Sequence, residues 1–567
     1  MLKIVSITSL FLLCSLNNTL QAAPSVPEIL TKNGLTYCTN ATGFSFNPQT
    51  ADAGTSMNTV TEQIYNKLFD IKNHSAKVIP VLASSYNISE DGRVITINLR
   101  KGIKFHHTPW FTPTRHFNAD DVVFSLNRVL GHDTALPEFD NSENENPTNR
   151  QYQVFHELAK KIRFPYFESI KLNEKIEMVE AVNPYQVRIT LFTPDSSILS
   201  HLASQYAIIF SQEYALQLNA DNNLQQLDIL PVGTGAYQLK DYVRNQYVRL
   251  IRNKDYWKKT AKIKNIIMDL STDRTGRLAK FFNGECHIVT SPELSQLGLL
   301  KHNKEGFQML STEGMNLSFL AFNFQKQQMQ DVELRRAIAQ AINRARIIKD
   351  IYYDTATEAN HIIPKVSWAA SVDMPELAYQ YAPEQAKQVL QNKKLNLTMW
   401  VINEEQVYNP SPLKMAELIR FDLAQVGVTV NVKSISRNYL IQQIKNKSED
   451  YDIILTGWLA GSLDPDSFMR PILSCNTAHK ITNLANWCYP SFDDIMNQAL
   501  FSEDQFFRAN EYKEAQKIIL SQLPILPIAH VKRILIAGTH VKGVEMTPFG
   551  SINFEKLSLQ QKQGGKQ

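Results

Sequence analysis

The chain of 567 residues has no long block of like charge: 59 Lys and Arg stand against 55 Asp and Glu, for a formal net charge of +4. Without a basic stripe there is no electrostatic footprint for nucleic acid. A G-x-S-x-G nucleophile elbow is missing, as is a C-x-x-C pair, and the Gly233-Thr234-Gly235 run lacks both a third glycine and a P-loop lysine. Acyl-transfer, zinc and phosphate-binding readings therefore have no motif to rest on. His156-Glu157 begins a zinc-protease pattern that Lys160 ends. His106, His107 and His116 read as loop histidines rather than metal ligands. No metal and no catalytic residue is expected.

Long hydrophobic runs are also scarce, and the one at the N-terminus reads as an export signal. Lys3 supplies its positive start, Ile4 to Leu16 its apolar stretch, and Leu20-Gln21-Ala22 a cleavage site before Ala23. The stretch is too short to cross a bilayer, which needs about 20 residues. The mature chain is thus expected to be soluble and exported. Export changes how the cysteines read. Cys14 leaves with the signal, and Cys38, Cys286, Cys475 and Cys488 remain. An even number in an oxidising compartment suggests disulfides, with three possible pairings. The nearness of Cys475 to Cys488 makes that pair the first guess and leaves Cys38 with Cys286. The short loop would contribute on the order of 3 kcal/mol by loop entropy.

What is present is alternation and helical periodicity, in a chain too long for one core. Tyr86–Ile88, the turn Glu90-Asp91-Gly92 and Arg93–Leu99 read as a hairpin, with Ile95, Ile97 and Leu99 on one face. Asn118 is a helix N-cap, followed by Asp120, Asp121 and the apolar face Val122, Val123, Leu126 and Val129. Residues 137–150 are polar and irregular, and Val179–Leu191 returns to alternation. Further on come a strand at Leu395–Val401, a helix at Met415–Val426 stopped by Gly427, a strand at Val428–Val432, a short helix at Tyr439–Lys445 and a strand at Tyr451–Thr456. This β-α-β-α-β order predicts a parallel sheet. One long helix is expected at Asp331–Ile348 and another at Glu511–Leu520. Gly457 and Trp458 then fall just past a strand's carboxyl end, and Trp400 near another. Such crevices hold ligands in open α/β sheets.

Several segments together resemble the large periplasmic solute-binding proteins of peptide ABC importers, the dipeptide- and oligopeptide-binding type. They are LASSYNISEDGRVITINLRKGIKFH (82–106), FNADDVVFSLNRVL (117–130), PVGTGAYQL with RLIRNKDYW (231–257), NLSFLAFNF with LRRAIAQAINR (316–344), MAELIRFDLAQVGV (415–428) and DIILTGWLAGSLDPDSF (452–468). Within the family the chain looks most like the branch named for sensitivity to antimicrobial peptides.

The resemblance implies a two-lobed α/β periplasmic binding protein of the class II type with an extra β-rich domain and a ligand cleft between the lobes. After the signal (1–22), domain I is 23–66, 233–315 and 534–567, domain II is 67–232 and domain III is 316–533. The chain would cross between lobes near Leu317–Asn323 and Ile528–Arg533. Family members with four cysteines pair them as Cys38–Cys286 and Cys475–Cys488 would be paired here. The resemblance further implies a Gram-negative periplasmic monomer that delivers peptide, including cationic antimicrobial peptide, to an inner-membrane permease. The alternatives are haem or another non-peptide ligand on the same fold, carried as cargo rather than held as a cofactor, and an extracytoplasmic enzyme or chaperone.

The candidate ligand wall is Thr55, Ser56 and Met57 on one side and Trp368, Trp400, Gln406, Tyr408, Trp458, Gly461 and Asp464 on the other. Two positions depart from the family pattern. Peptide-binding members carry Asp three residues after the Gly-Trp tryptophan, to pair with the peptide amine, and that position is Gly461. Dipeptide-binding members carry Arg six residues after a strand Trp, to pair with the carboxylate, and that position is Gln406. A zwitterionic dipeptide would lose both charge pairs. Asp464 is the candidate substitute for the missing carboxylate.

Overall fold

The computed structural model describes residues 26, 30, 34–39, 45–50, 55–72, 77–131, 162–270, 273–302, 306–370, 380–475 and 482–560. The export signal and the polar segment 137–150 lie outside them.

Local sequence accounts for most elements. The hairpin forms from Ala83–Ile88 and Val94–Leu99, with Gly92 at φ 70° in its turn, and joins Gln186–Leu191 and Ile176–Asn183 in a four-stranded antiparallel sheet. Asn118 caps the helix Ala119–Leu130: its side chain accepts from Asp120 N at 3.1 Å, while Asp121 Oδ2 accepts from Asn118 N at 2.9 Å. The reading of Asp331–Ile348 as one helix is corrected to two, Val332–Ala341 and Arg344–Tyr352. Asn343 makes the break. Its side chain accepts from Arg346 N at 2.9 Å and its own N–H donates to Asp422 Oδ2 at 3.0 Å, so it caps the second helix instead of continuing the first.

Among the described residues the largest sheet has twelve strands. At one end Thr429–Ile435, Asn396–Ile402 and Ile453–Leu459 run parallel, as their sequence order predicts. Asn316–Phe322 adds antiparallel to the last of these. At the other end Leu35–Cys38 pairs parallel to Asn265–Asp269 and Ile288–Thr290. The strand Ile525–Gly538 joins the two ends. Its first residues pair with Asn316–Phe322 and its last with Phe307–Glu313. At this junction Asn316 Nδ2 donates to Val531 O at 2.8 Å, and Val531 N donates to Asn316 Oδ1 at 2.9 Å.

Separate cores lie on either side of the junction. One gathers the four-stranded sheet, the segment 162–210 and the near end of the large sheet, with Tyr37, Ile97, Phe117, Phe167 and Tyr237 inside it. Two others cover the two faces of the parallel end, around Leu397 and Ile453 on one side and Trp400 and Phe468 on the other. Both disulfides form, Cys38–Cys286 and Cys475–Cys488. No helix among the described residues is long and apolar enough to cross a membrane.

Candidate functional site

Gly457 and Trp458 lie inside the strand Ile453–Leu459 rather than past its end. The parallel ladder to Asn396–Ile402 stops at Leu455, but the antiparallel partner continues, pairing Ser318 with Gly457 and Leu317 with Trp458. The strand therefore projects beyond its parallel neighbours, and the crevice opens beside the projection. Gly457 is needed there, because a Cβ would lie 2.2 Å from the Tyr408 ring and 2.5 Å from Leu317 O. Tyr408 is held over that backbone by its own carbonyl, which accepts from Tyr352 Oη at 2.7 Å. The Trp458 indole donates to Ser467 O at 3.0 Å.

Gln406, Tyr408 and Trp458 thus line one cavity of about 280 Å³. Its other walls include Phe319, Ile402 and Leu440, and across from them Tyr166 and Tyr206 of the segment packed on the first core. Charges at the rim are paired with their neighbours, Arg163 with Glu168 and Arg437 with Glu404. Tyr166 and Tyr206 were not foreseen; they stack at 4.4 Å between ring centroids, tilted by 23°. Gly461 faces them directly. A Cβ on it would lie 2.4 Å from Tyr166 Cε2 and 2.8 Å from Tyr206 Cε2. The space a side chain at 461 would take is filled by the aromatic pair.

Asp464 lines neither of the two cavities described here and is 1% exposed. Arg508 Nη2 donates to both of its carboxylate oxygens at 2.9 Å, and Asp466 N donates to Oδ1 at 3.0 Å. Burial pushes its carboxyl up, and the Arg508 guanidinium opposes the shift. The expectation that Asp464 supplies a free carboxylate to ligand is corrected on this geometry. Trp400 is likewise core in place of wall. It has no exposure, packs between Tyr439 and Tyr451 at 5.7 and 5.1 Å, and lies on an inner strand covered on both faces.

Trp368 belongs to a second, larger cavity of about 920 Å³. Arg508 stacks on Trp368, its Cζ 4.9 Å from the ring centroid. The opposite wall comes from Glu62, Gln63 and Asn66, at and just past the end of the helix Thr55–Ile64. Burial pushes the Glu62 carboxyl up, against the pull of Lys67. Thr55, Ser56 and Met57 form the first turn of that helix, and their side chains lie outside the described part. His106, read as a loop residue, is buried, with Nε2 2.9 Å from Gly235 O, and burial pushes it down to about 4.

The model for bacterial extracellular solute-binding proteins, family 5 Middle, matches residues 77–480. The Haemophilus influenzae protein described as peptide transport periplasmic protein SapA is 65% identical over 96% of this chain and 97% of its own length. Heme-binding protein A of the same species is 32% identical over 93% of this chain and 92% of its own. The crystal structure of a dipeptide-binding protein from Pseudoalteromonas sp. SM9913 in complex with Met-Leu superposes with a TM-score of 0.79 at 35% identity, covering 93% of this chain and all of that one.

Proposed function

Because this chain belongs to the bacterial extracellular solute-binding proteins of family 5, we propose that it is the periplasmic receptor of a peptide ABC importer that holds peptides by their apolar side chains and backbone and not by charged ends. Receptors of this family bind and release; they catalyse nothing. The three domains carry the boundaries given above, with ligand between the lobes, and a monomer hands it to an inner-membrane permease after signal removal near Ala22.

The observation that carries this reading is the aromatic cavity, whose Tyr166 and Tyr206 rings fill the space that a side chain at Gly461 would take. Tyr166, Tyr206, Phe319, Tyr408 and Trp458 offer broad apolar faces, Gln406 offers a neutral amide, and the rim charges are paired with one another. A free ammonium or carboxylate entering this space would lose its water without gaining an unpaired counter-charge among the described residues, at a cost of about 1–3 kcal/mol or more per group. A blocked, neutral peptide end loses far less.

Calorimetric titration with Met-Leu and with N-acetyl-Met-Leu-amide tests this. The blocked peptide is expected to bind at least tenfold more tightly, because each uncompensated charge weakens binding by about that factor. Tighter binding of the zwitterion would overturn the neutral-end reading.

A further inference from the structure

Behind the smaller cavity Tyr166, His201 and Asp466 meet in a buried gap, with Lys175 beside them. Tyr166 lines the cavity with its ring, and its hydroxyl lies 3.0 Å from His201 Nδ1. On the far side of the imidazole, His201 Nε2 is 3.9 Å from Asp466 Oδ2, and Lys175 Nζ is 3.7 Å from the same oxygen. His201 and Asp466 have no exposure, and neither His201 Nε2 nor Asp466 Oδ2 has a hydrogen-bond partner among the described residues. Two buried polar atoms that face each other just beyond bonding distance make a costly arrangement, and a small movement relieves it.

Chemistry fixes the direction of the bonds. Burial works against a charge on Asp466, but Arg470 and Lys175 overcome it and hold the carboxyl below the usual range. A carboxylate only accepts, so the nitrogen facing it carries the proton. That leaves Nδ1 to accept from the Tyr166 hydroxyl, which burial keeps protonated. The chain of donors runs from Tyr166 to His201 to Asp466.

Its ends sit on separately packed bodies. Tyr166, Ile198 and Leu202 belong to the core around the four-stranded sheet, whereas Phe468, Met469 and Ile472, on the helix Asp466–Leu473, belong to a core of the parallel end. Ser196 N also donates to Leu500 O across the same seam, at 2.9 Å.

We propose that Tyr166–His201–Asp466 is a latch across the closing seam, in which His201 is a positioning residue that holds the Tyr166 ring against ligand and completes its bond to Asp466 when the cavity is filled. The proposal rests on the reading that ligand occupies the smaller cavity.

The latch makes closure depend on pH. Burial, the largest influence, and then Lys175 push His201 down to about 4, with Arg508 adding to them and Asp466 and Asp195 pulling the other way. With the seam open the ring meets water and returns toward its ordinary value near 6.5. Closing therefore expels a proton below pH 6.5. The closed form keeps its full advantage above that value and loses it as pH falls toward 4.

Titrating N-acetyl-Met-Leu-amide into the mature chain at pH 7.5 and 5.5 tests this, with small-angle scattering of the ligand-free protein at the same pH values. Wild type is expected to bind about tenfold more weakly at pH 5.5 and to expand there. His201→Gln, which keeps a donor toward Asp466 but does not titrate, is expected to bind with a flat profile. Equal slopes in the two proteins, or no change in affinity and size for wild type, would overturn the latch. If no peptide binds at any pH while the ligand-free protein still expands on acidification, the peptide reading fails and the latch stands. If His201→Gln does not fold, the imidazole titration of wild type by NMR replaces it. The His201 pKa should fall when ligand is added, and an unchanged value would overturn the proposal.

Discussion

Asp464→Ala is expected to cost about 3–5 kcal/mol of folding stability, because it strands the buried Arg508 guanidinium without its counter-charge. Arg508 is 4% exposed; besides Asp464 it holds Ala499 O through Nε at 2.9 Å and Tyr512 Oη through Nη2 at 2.9 Å. Asp464 and Tyr512 hold the guanidinium firmly charged against burial, so losing the carboxylate cannot be offset by neutralising the arginine. Urea denaturation measures the loss. A chain with both Asp464→Leu and Arg508→Met is expected to lose less than either single variant, since no unpaired charge remains. A loss below about 1 kcal/mol in Asp464→Ala would contradict a structural pair and reopen Asp464 as a ligand contact.

Gly461→Ala is expected to weaken binding of any ligand by roughly ten- to a hundredfold, corresponding to about 1–3 kcal/mol of overpacking. The added methyl would enter the stacked Tyr166–Tyr206 pair, which belongs to the opposite body. The penalty falls on closure, so unfolding in urea should change much less than affinity. Adding Tyr166→Ala should return part of the loss relative to Tyr166→Ala alone, and this coupling separates a steric clash from local damage. Unchanged affinity in Gly461→Ala would mean that the two bodies do not meet at this residue when ligand is bound.

Much of the fold was readable from local pattern. Alternation at Val94–Leu99, the Asn118 cap and the β-α-β order after residue 395 each specify their elements through neighbours a few residues away. The site was readable only in part. Gln406, Tyr408 and Trp458 come together because parallel strands bring their carboxyl ends to one edge. The extension of Ile453–Leu459 past its parallel partner depends on Asn316–Phe322, an antiparallel neighbour far away in sequence. Asp464 looked free because Arg508 lies 44 residues on, with no periodicity linking them. Tyr166 lies on the short helix Pro165–Ser169 and Tyr206 in a turn, with two strands between them and no periodicity linking the two, so nothing local announces that their rings face Gly461.

Native mass spectrometry of the mature protein, isolated gently from periplasm and then denatured to release its cargo, tests most directly whether it carries peptides by their apolar side chains. The expected result is a set of short peptides rich in large apolar residues. A porphyrin, or any other single non-peptide mass in their place, would contradict it.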